Sequence, residues 1–165
     1  MPRGERYNPY QLPFDFGTQP LELSQHVRLL KEPYVLHTPA DAAAYLMTQV
    51  YFPFAQFKQE HLYVLLLNQK QRITHDVLVY IGTVNSINVR IAELFREAVK
   101  QNAPSIIVSH CHPGGSPDPS PEDIRVNEVA AEAGELLQIH LLDHIIVGNQ
   151  VWFSFKEHGI GGSAP

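Results

Sequence analysis

The sequence predicts a single layered α/β domain. Strand-length apolar runs alternate with segments of helical apolar spacing, and no segment repeats. The chain has 165 residues, 44% of them hydrophobic and 10% aromatic, which suits one sizeable core.

Residues 1–22 carry Pro2, Pro9, Pro13 and Pro20 among aromatics with no regular period, so an irregular arm is expected. LSQHVRLLK (23–31) predicts a short helix within that arm, which is bounded at residue 37. A second helix is predicted over 39–50, capped by Thr38 and with Pro39 in the first turn, where a missing N–H costs nothing. HLYVLLLN (61–68), the polar NQKQ and RITHDVLVYIGT read as a hairpin with one buried strand. IAELFREAVKQN (91–102) places Ile91, Leu94, Phe95, Ala98 and Val99 at helical spacing. SIIVS (105–109) is a short buried strand ending at His110. A helix over 121–138 follows, then the strands IHLLDHIIVG and VWFSF, and residues 156–165 are expected to form a flexible tail.

A formal charge of −5, with 12 Lys and Arg scattered singly, argues against a surface built to neutralise phosphates. Neither nucleic acid nor an anionic membrane is the expected main partner. No stretch approaches the roughly 20 apolar residues of a membrane span, and MPRGERYNPY lacks the apolar centre of a secretory signal. The expected location is cytoplasmic. The single cysteine, Cys111, excludes an internal disulfide and a cysteine-rich zinc module, so a metal would need His and carboxylate ligands.

The chemistry concentrates in SHCHPGGSPDPSPEDI, residues 109–124. A turn has use for Gly, Pro, Ser and Asp, but none for two histidines one residue apart. On an extended segment His110 and His112 point one way and Cys111 the other, at a strand's C-terminal end, where open α/β sheets place ligands. Ser120 reads as the N-cap of the next helix. Asp123 lies on the shoulder of an apolar stripe made by Val126, Val129, Ala130, Ala133 and Leu137, with Glu128, Glu132 and Glu135 opposite. A carboxylate facing the core must be paired, protonated or bound to a metal. Two imidazoles and one carboxylate form a catalytic zinc set with a fourth position for water. Periodicity leaves Glu122 open as the carboxylate, and helix capping alone accounts for Ser120, Glu122 and Asp123. It does not account for His110 and His112. His144 beside Asp143 is open as a further ligand, but a strand histidine reads first as structural. His26, His37, His61, His75, His140 and His158 read as surface or packed residues.

The spacing His110-x-His112, then Ser120 and Asp123, resembles the signature of the JAMM (JAB1/MPN) metalloproteases, and the text around it resembles their bacterial RadC-like branch. The similarity takes in TPADAAAYL, EHLYVLLLNQKQRI, GTVN, LFREAVKQNAPSIIVSHCHP, DPSPEDI and EAGELLQIHLLDHIIVG, so it spans roughly residues 38–155. The resemblance implies a central mixed sheet flanked by helices and one zinc ion per chain on His110, His112 and Asp123. It further implies Ser120 as the hydroxyl that steadies an oxyanion and Glu60 as the upstream general base. Glu93 is the rival of Glu60. For Glu60 to serve, strand 61–68 must run antiparallel beside 105–109, or the segment before His61 must bend across. The implied activity is a peptidase or isopeptidase acting on a protein or peptide substrate.

Several features depart from the RadC-like pattern. His110-Cys111-His112-Pro113-Gly114-Gly115-Ser116 stands where such chains read His-Asn-His-Pro-Ser-Gly-Asp, which implies a more flexible loop beside the metal. Arg90-Ile91-Ala92-Glu93 stands where they tend to read His-Pro-Arg-Glu, an altered substrate contact. Residues 1–37 offer no counterpart to the helix-hairpin-helix unit common in full-length RadC-like proteins, and the insertions by which JAMM deubiquitinases grip ubiquitin are missing. Other zinc enzymes fit worse. One cysteine cannot supply a zinc deaminase, no His-Glu-x-x-His helix is present, and an amidohydrolase barrel needs about 250 residues. A cysteine hydrolase on Cys111 would require the thiol to face the histidines, which alternation denies. Two other readings remain: a catalytically silent binding or scaffold module, and an accessory factor in DNA metabolism.

Overall fold

A computed structural model of the chain describes residues 26–82 and 89–161. Six strands form one mixed sheet in the order β1-β3-β2-β4-β5-β6: β1 (Val27–Val35), β2 (Glu60–Leu67), β3 (Arg72–Gly82), β4 (Ser105–Cys111), β5 (His140–Val147) and β6 (Trp152–Ser154). Only β4 and β5 pair in parallel, joined through α3 (Pro121–Leu137). The other pairs are antiparallel. The layered α/β fold with a central mixed sheet is therefore the one expected.

Alternation along the strands sorts the apolar side chains into two cores. Leu62, Val64 and Leu66 of β2 and Ile106 and Val108 of β4 face α2 (Ile91–Lys100) and α3, packing against Leu94, Phe95, Ala98, Val126 and Ala130. Leu65, Leu67, Ile107 and Cys111 face the other way, against Ala42, Ala43, Tyr45 and Leu46. Those four belong to α1 (Pro39–Tyr45) and the wider helical turn that prolongs it over Leu46–Val50, and Thr38 caps α1 as expected. Every residue of β4 is buried. A strand covered on both faces reads as a continuous apolar run, which is why SIIVS stood out.

Three expectations need correction. Residues 27–31 are not helical: Val27–Val35 is an edge strand paired with β3. Pro33 would break a helix interior but is tolerated on a sheet edge. Arg28 reaches Asp76 of β3 at 2.9 Å, and the Tyr45 hydroxyl donates to the same carboxylate at 2.5 Å, a long-range anchor that local pattern does not reveal. The arm bounded at residue 37 is thus sheet over Val27–Val35, and residues 1–25 lie outside the described residues. The stretch expected as a tail is docked as far as it is described: the Asn127 side chain donates to the Ile160 and Gly161 carbonyls, and the His158 ring stacks on Phe153 at 4.0 Å. Leu137 is 46% exposed instead of closing the apolar stripe, because α3 ends there and Gln138 turns left-handed (φ 56°) into β5. Among the described residues no helix is long and apolar enough to cross a membrane.

Candidate metal centre

His110 and His112 leave the C-terminal end of β4 on the α3 side of the sheet, while the Cys111 side chain packs in the opposite core. The Cys111 thiol donates to the Gln59 carbonyl at 3.8 Å, and burial pushes it up to about 12. That thiol is inert. Asp123 comes from the first turn of α3, where it and Ser120 form a capping box: the Asp123 N–H donates to Ser120 Oγ (3.1 Å) and the Ser120 N–H to Asp123 Oδ2 (2.8 Å). Capping thereby fixes the direction of the carboxylate. Asp123 is buried and Glu122 exposed, so helix phase decides the choice that periodicity left open.

The ligand atoms converge. His110 Nε2 lies 3.0 Å from His112 Nε2 and 3.1 Å from Asp123 Oδ1, and His112 Nε2 lies 3.5 Å from Asp123 Oδ2. Zinc–ligand bonds of about 2.0–2.2 Å set tetrahedral edges of roughly 3.3–3.6 Å, and a spread of a few tenths of an ångström brings these three atoms onto one small cation. His112 also has its tautomer set. Its Nδ1 is 3.0 Å from the Ser116 carbonyl, which only accepts, so Nδ1 carries the proton and the Nε2 lone pair faces the cluster. Among the described residues His110, His112 and Asp123 form the group able to hold a metal.

Glu60 stands beside this group. β2 runs antiparallel to β4 with Leu62 opposite His110, so Glu60, which opens β2, lies at the same end of the sheet as the histidines, close enough for its carboxyl to feel His110, His112 and Asp123. Burial raises the Glu60 carboxyl, the His110 and His112 charges lower it, Asp123 raises it, and the net shift is upward. Glu93 is raised by burial and lowered by the charge of Arg96, and it pairs at 3.6 Å with Arg90, the residue that caps its helix.

Burial pushes the Asp123 carboxyl up, but the His110 charge and hydrogen bonds from His110, His112 and the Ser120 N–H outweigh it and hold the group far below the usual carboxylate range. Burial likewise opposes a charged His112, yet Asp123, Glu60 and the Ser116 carbonyl lift it. His144, fully buried behind His110, is pushed by burial and by the His110 charge down to about 3. Folded protein then binds fewer protons at His144 than unfolded protein does from pH 6.5 down to about 3, so this stabilisation is present above 6.5 and lost as the pH falls. Chelator-treated His144→Phe is expected to gain stability relative to wild type as the pH drops through that window, read from denaturant unfolding at a series of pH values. A difference that stays constant with pH would contradict the assignment.

The loop after His112 is held by the β5–β6 turn. The His112 N–H donates to the Val147 carbonyl (2.9 Å), and the Gly115 carbonyl accepts from the Asn149 N–H (3.0 Å). Gly115 adopts φ 94°, which glycine tolerates, and a Cβ at Gly148 would collide with the Gly115 carbonyl oxygen. Gly148→Ala should cost about 1–3 kcal/mol and lower metal content by displacing His112. Thermal unfolding and elemental analysis would check both.

Sequence reasoning missed Gly148; it left His144 open as a ligand but read it first as structural, and His144 lies outside the ligand group. His144 Nε2 in fact lies 3.0 Å from His110 Nδ1, and its ring stacks on Phe155 at 4.6 Å. Asp143 does not orient that ring: its carboxylate accepts from the His144 and Lys156 backbone N–H groups and from Ser154 Oγ.

The chain is similar in sequence to known proteins. A family profile described as the RadC-like JAB domain matches residues 36–160. A UPF0758 protein of Chloroflexus aurantiacus is 42% identical over 132 residues, covering 80% of this chain and 56% of that protein. A UPF0758 protein of Bacillus licheniformis is 45% identical over 141 residues, 84% of this chain and 61% of that one. A third, from Clostridium kluyveri, is 43% identical over 141 residues, covering 84% and 60%. The chain thus spans little more than half the length of the curated relatives it matches. With the family profile covering most of its length and relatives of this identity, the chain belongs to the RadC-like JAB domain family.

Proposed function

We propose that the domain is a zinc-dependent hydrolase that cleaves peptide or isopeptide bonds. The observation that supports this reading best is the convergence of His110, His112 and Asp123, with the Glu60 carboxyl close enough to feel all three yet outside the ligand group. When bound, zinc supplies Lewis acidity and lowers the pKa of a coordinated water to about 7. Glu60, partly buried and raised, takes a proton from the attacking water and returns it to the leaving amine. Ser120 Oγ accepts the Asp123 N–H and keeps its own proton to donate to a developing oxyanion. A silent scaffold would need no such carboxylate, which favours the hydrolase.

The test is incubation of the zinc-loaded protein with a proteome-derived mixture of peptides and lysine-branched peptides in H218O. The wild type should place one 18O in each new carboxyl group, and the His110→Ala/His112→Ala protein should not. Equal labelling by both would sink the proposal. Ser120→Ala should lose about 1 kcal/mol of stability from the cap alone, together with a fall in turnover on any substrate so found. Lost stability with unchanged turnover would leave Ser120 as a cap only.

A further inference from the structure

The His110 ring is gripped from both sides: its Nε2 faces His112 and Asp123, and its Nδ1 lies 3.0 Å from His144 Nε2. A pair of imidazoles can share one proton in either direction, and only one direction suits a metal. If His144 Nε2 donated, a neutral His110 would carry its proton on Nε2 and aim it into the space between His112 and Asp123. If His144 accepts, the His110 proton sits on Nδ1 and the Nε2 lone pair points inward, as at His112.

We infer that His144 is a positioning residue whose Nε2 accepts the His110 Nδ1 proton and so fixes both the tautomer and the ring direction of a metal ligand, an inference that rests on the zinc reading above. His144 suits the task because little around it can move. It is 1% exposed, stacked within 9° of parallel on Phe155, itself 1% exposed. Its strand position is held on one side by pairing with Val108 of β4 and on the other by the Phe155 N–H on the His144 carbonyl at 3.0 Å. The Asp143 carboxylate ties the His144 N–H to Ser154 and Lys156, so the end of β6 and the turn after it fix this ring and, through it, His110. β5, β6 and the turn after them therefore serve the centre without contributing a ligand.

Zinc affinity separates this role from simple packing. Chelator-treated protein is titrated with Co2+, followed by its visible d–d absorption, and then back-titrated with Zn2+. His144→Phe keeps the stack and nearly the volume but removes the acceptor, and it should bind zinc about 10- to 100-fold more weakly. His144→Gln, whose amide oxygen reaches close to the position of Nε2, should recover most of the loss. Wild-type affinity in a folded His144→Phe, or no recovery in a folded His144→Gln, would overturn the inference and leave the zinc reading standing. A wild type that takes up no metal would overturn the zinc reading and the inference with it. Because a variant of so buried a ring can fail to fold, the zinc-loaded wild type is also labelled with 15N-histidine. Two-bond 1H–15N correlations should show His144 with its proton on Nδ1, and a proton on Nε2 would overturn the assignment.

Discussion

Glu60→Gln is expected to keep zinc and fold while lowering turnover by about 100- to 10,000-fold, the usual contribution of a general base. Glutamine preserves the shape of the side chain and its place at the start of β2 but cannot accept the proton of the attacking water. The change is well tolerated for stability, because a carboxyl already raised by burial gives up little when its charge is removed. Glu93→Gln is the matched control: that carboxylate pairs with Arg90 at the cap of its own helix, and its loss should leave turnover unchanged. A Glu60→Gln protein as active as wild type would remove the general base from the account. Loss of activity in Glu93→Gln with Glu60→Gln unaffected would transfer the role.

Replacing both His110 and His112 with alanine is expected to take the zinc content under zinc-replete conditions from about one per chain to none, because Asp123 alone is one ligand of the three that a catalytic site needs. Elemental analysis of wild type and variant, purified side by side, reads this directly. Equal metal in the two proteins would place any bound ion elsewhere. The variant should also unfold at lower temperature whenever zinc is present, since an ion that binds only the folded wild type stabilises it by mass action. With chelator the gap should shrink to the packing difference.

What could be read from the sequence divides along a physical line. β4, α2 and α3 were legible because each buries a whole face, so the apolar period survives in the residues. The opposite facing of His110 and Cys111 followed from strand alternation alone. Of the two arrangements that would bring Glu60 to the site, β2 antiparallel beside β4 or a bend before His61, the sheet has the first. Apart from Leu137, misplaced by the local end of α3, the failures are long-range. β1 is mostly exposed and is held by Arg28 on Asp76, 48 residues away, so its local text resembled a short helix. His144 touches His110 across 34 residues, and nothing near it in sequence marks the contact. Asn127 gave no signal that it would hold the chain after β6, because a single amide on a helix reads as solvated.

The central claim is that His110, His112 and Asp123 hold one zinc ion with Glu60 beside it, and an anomalous-difference map recorded across the zinc absorption edge tests it most directly. The predicted result is a single peak about 2.0–2.2 Å from His110 Nε2, His112 Nε2 and an Asp123 carboxylate oxygen, with the Glu60 carboxylate within hydrogen-bond reach of the water that completes the tetrahedron. Crystals of zinc-replete protein with no peak among these three side chains, or with a peak there and Glu60 turned to the far side of the sheet, would contradict it.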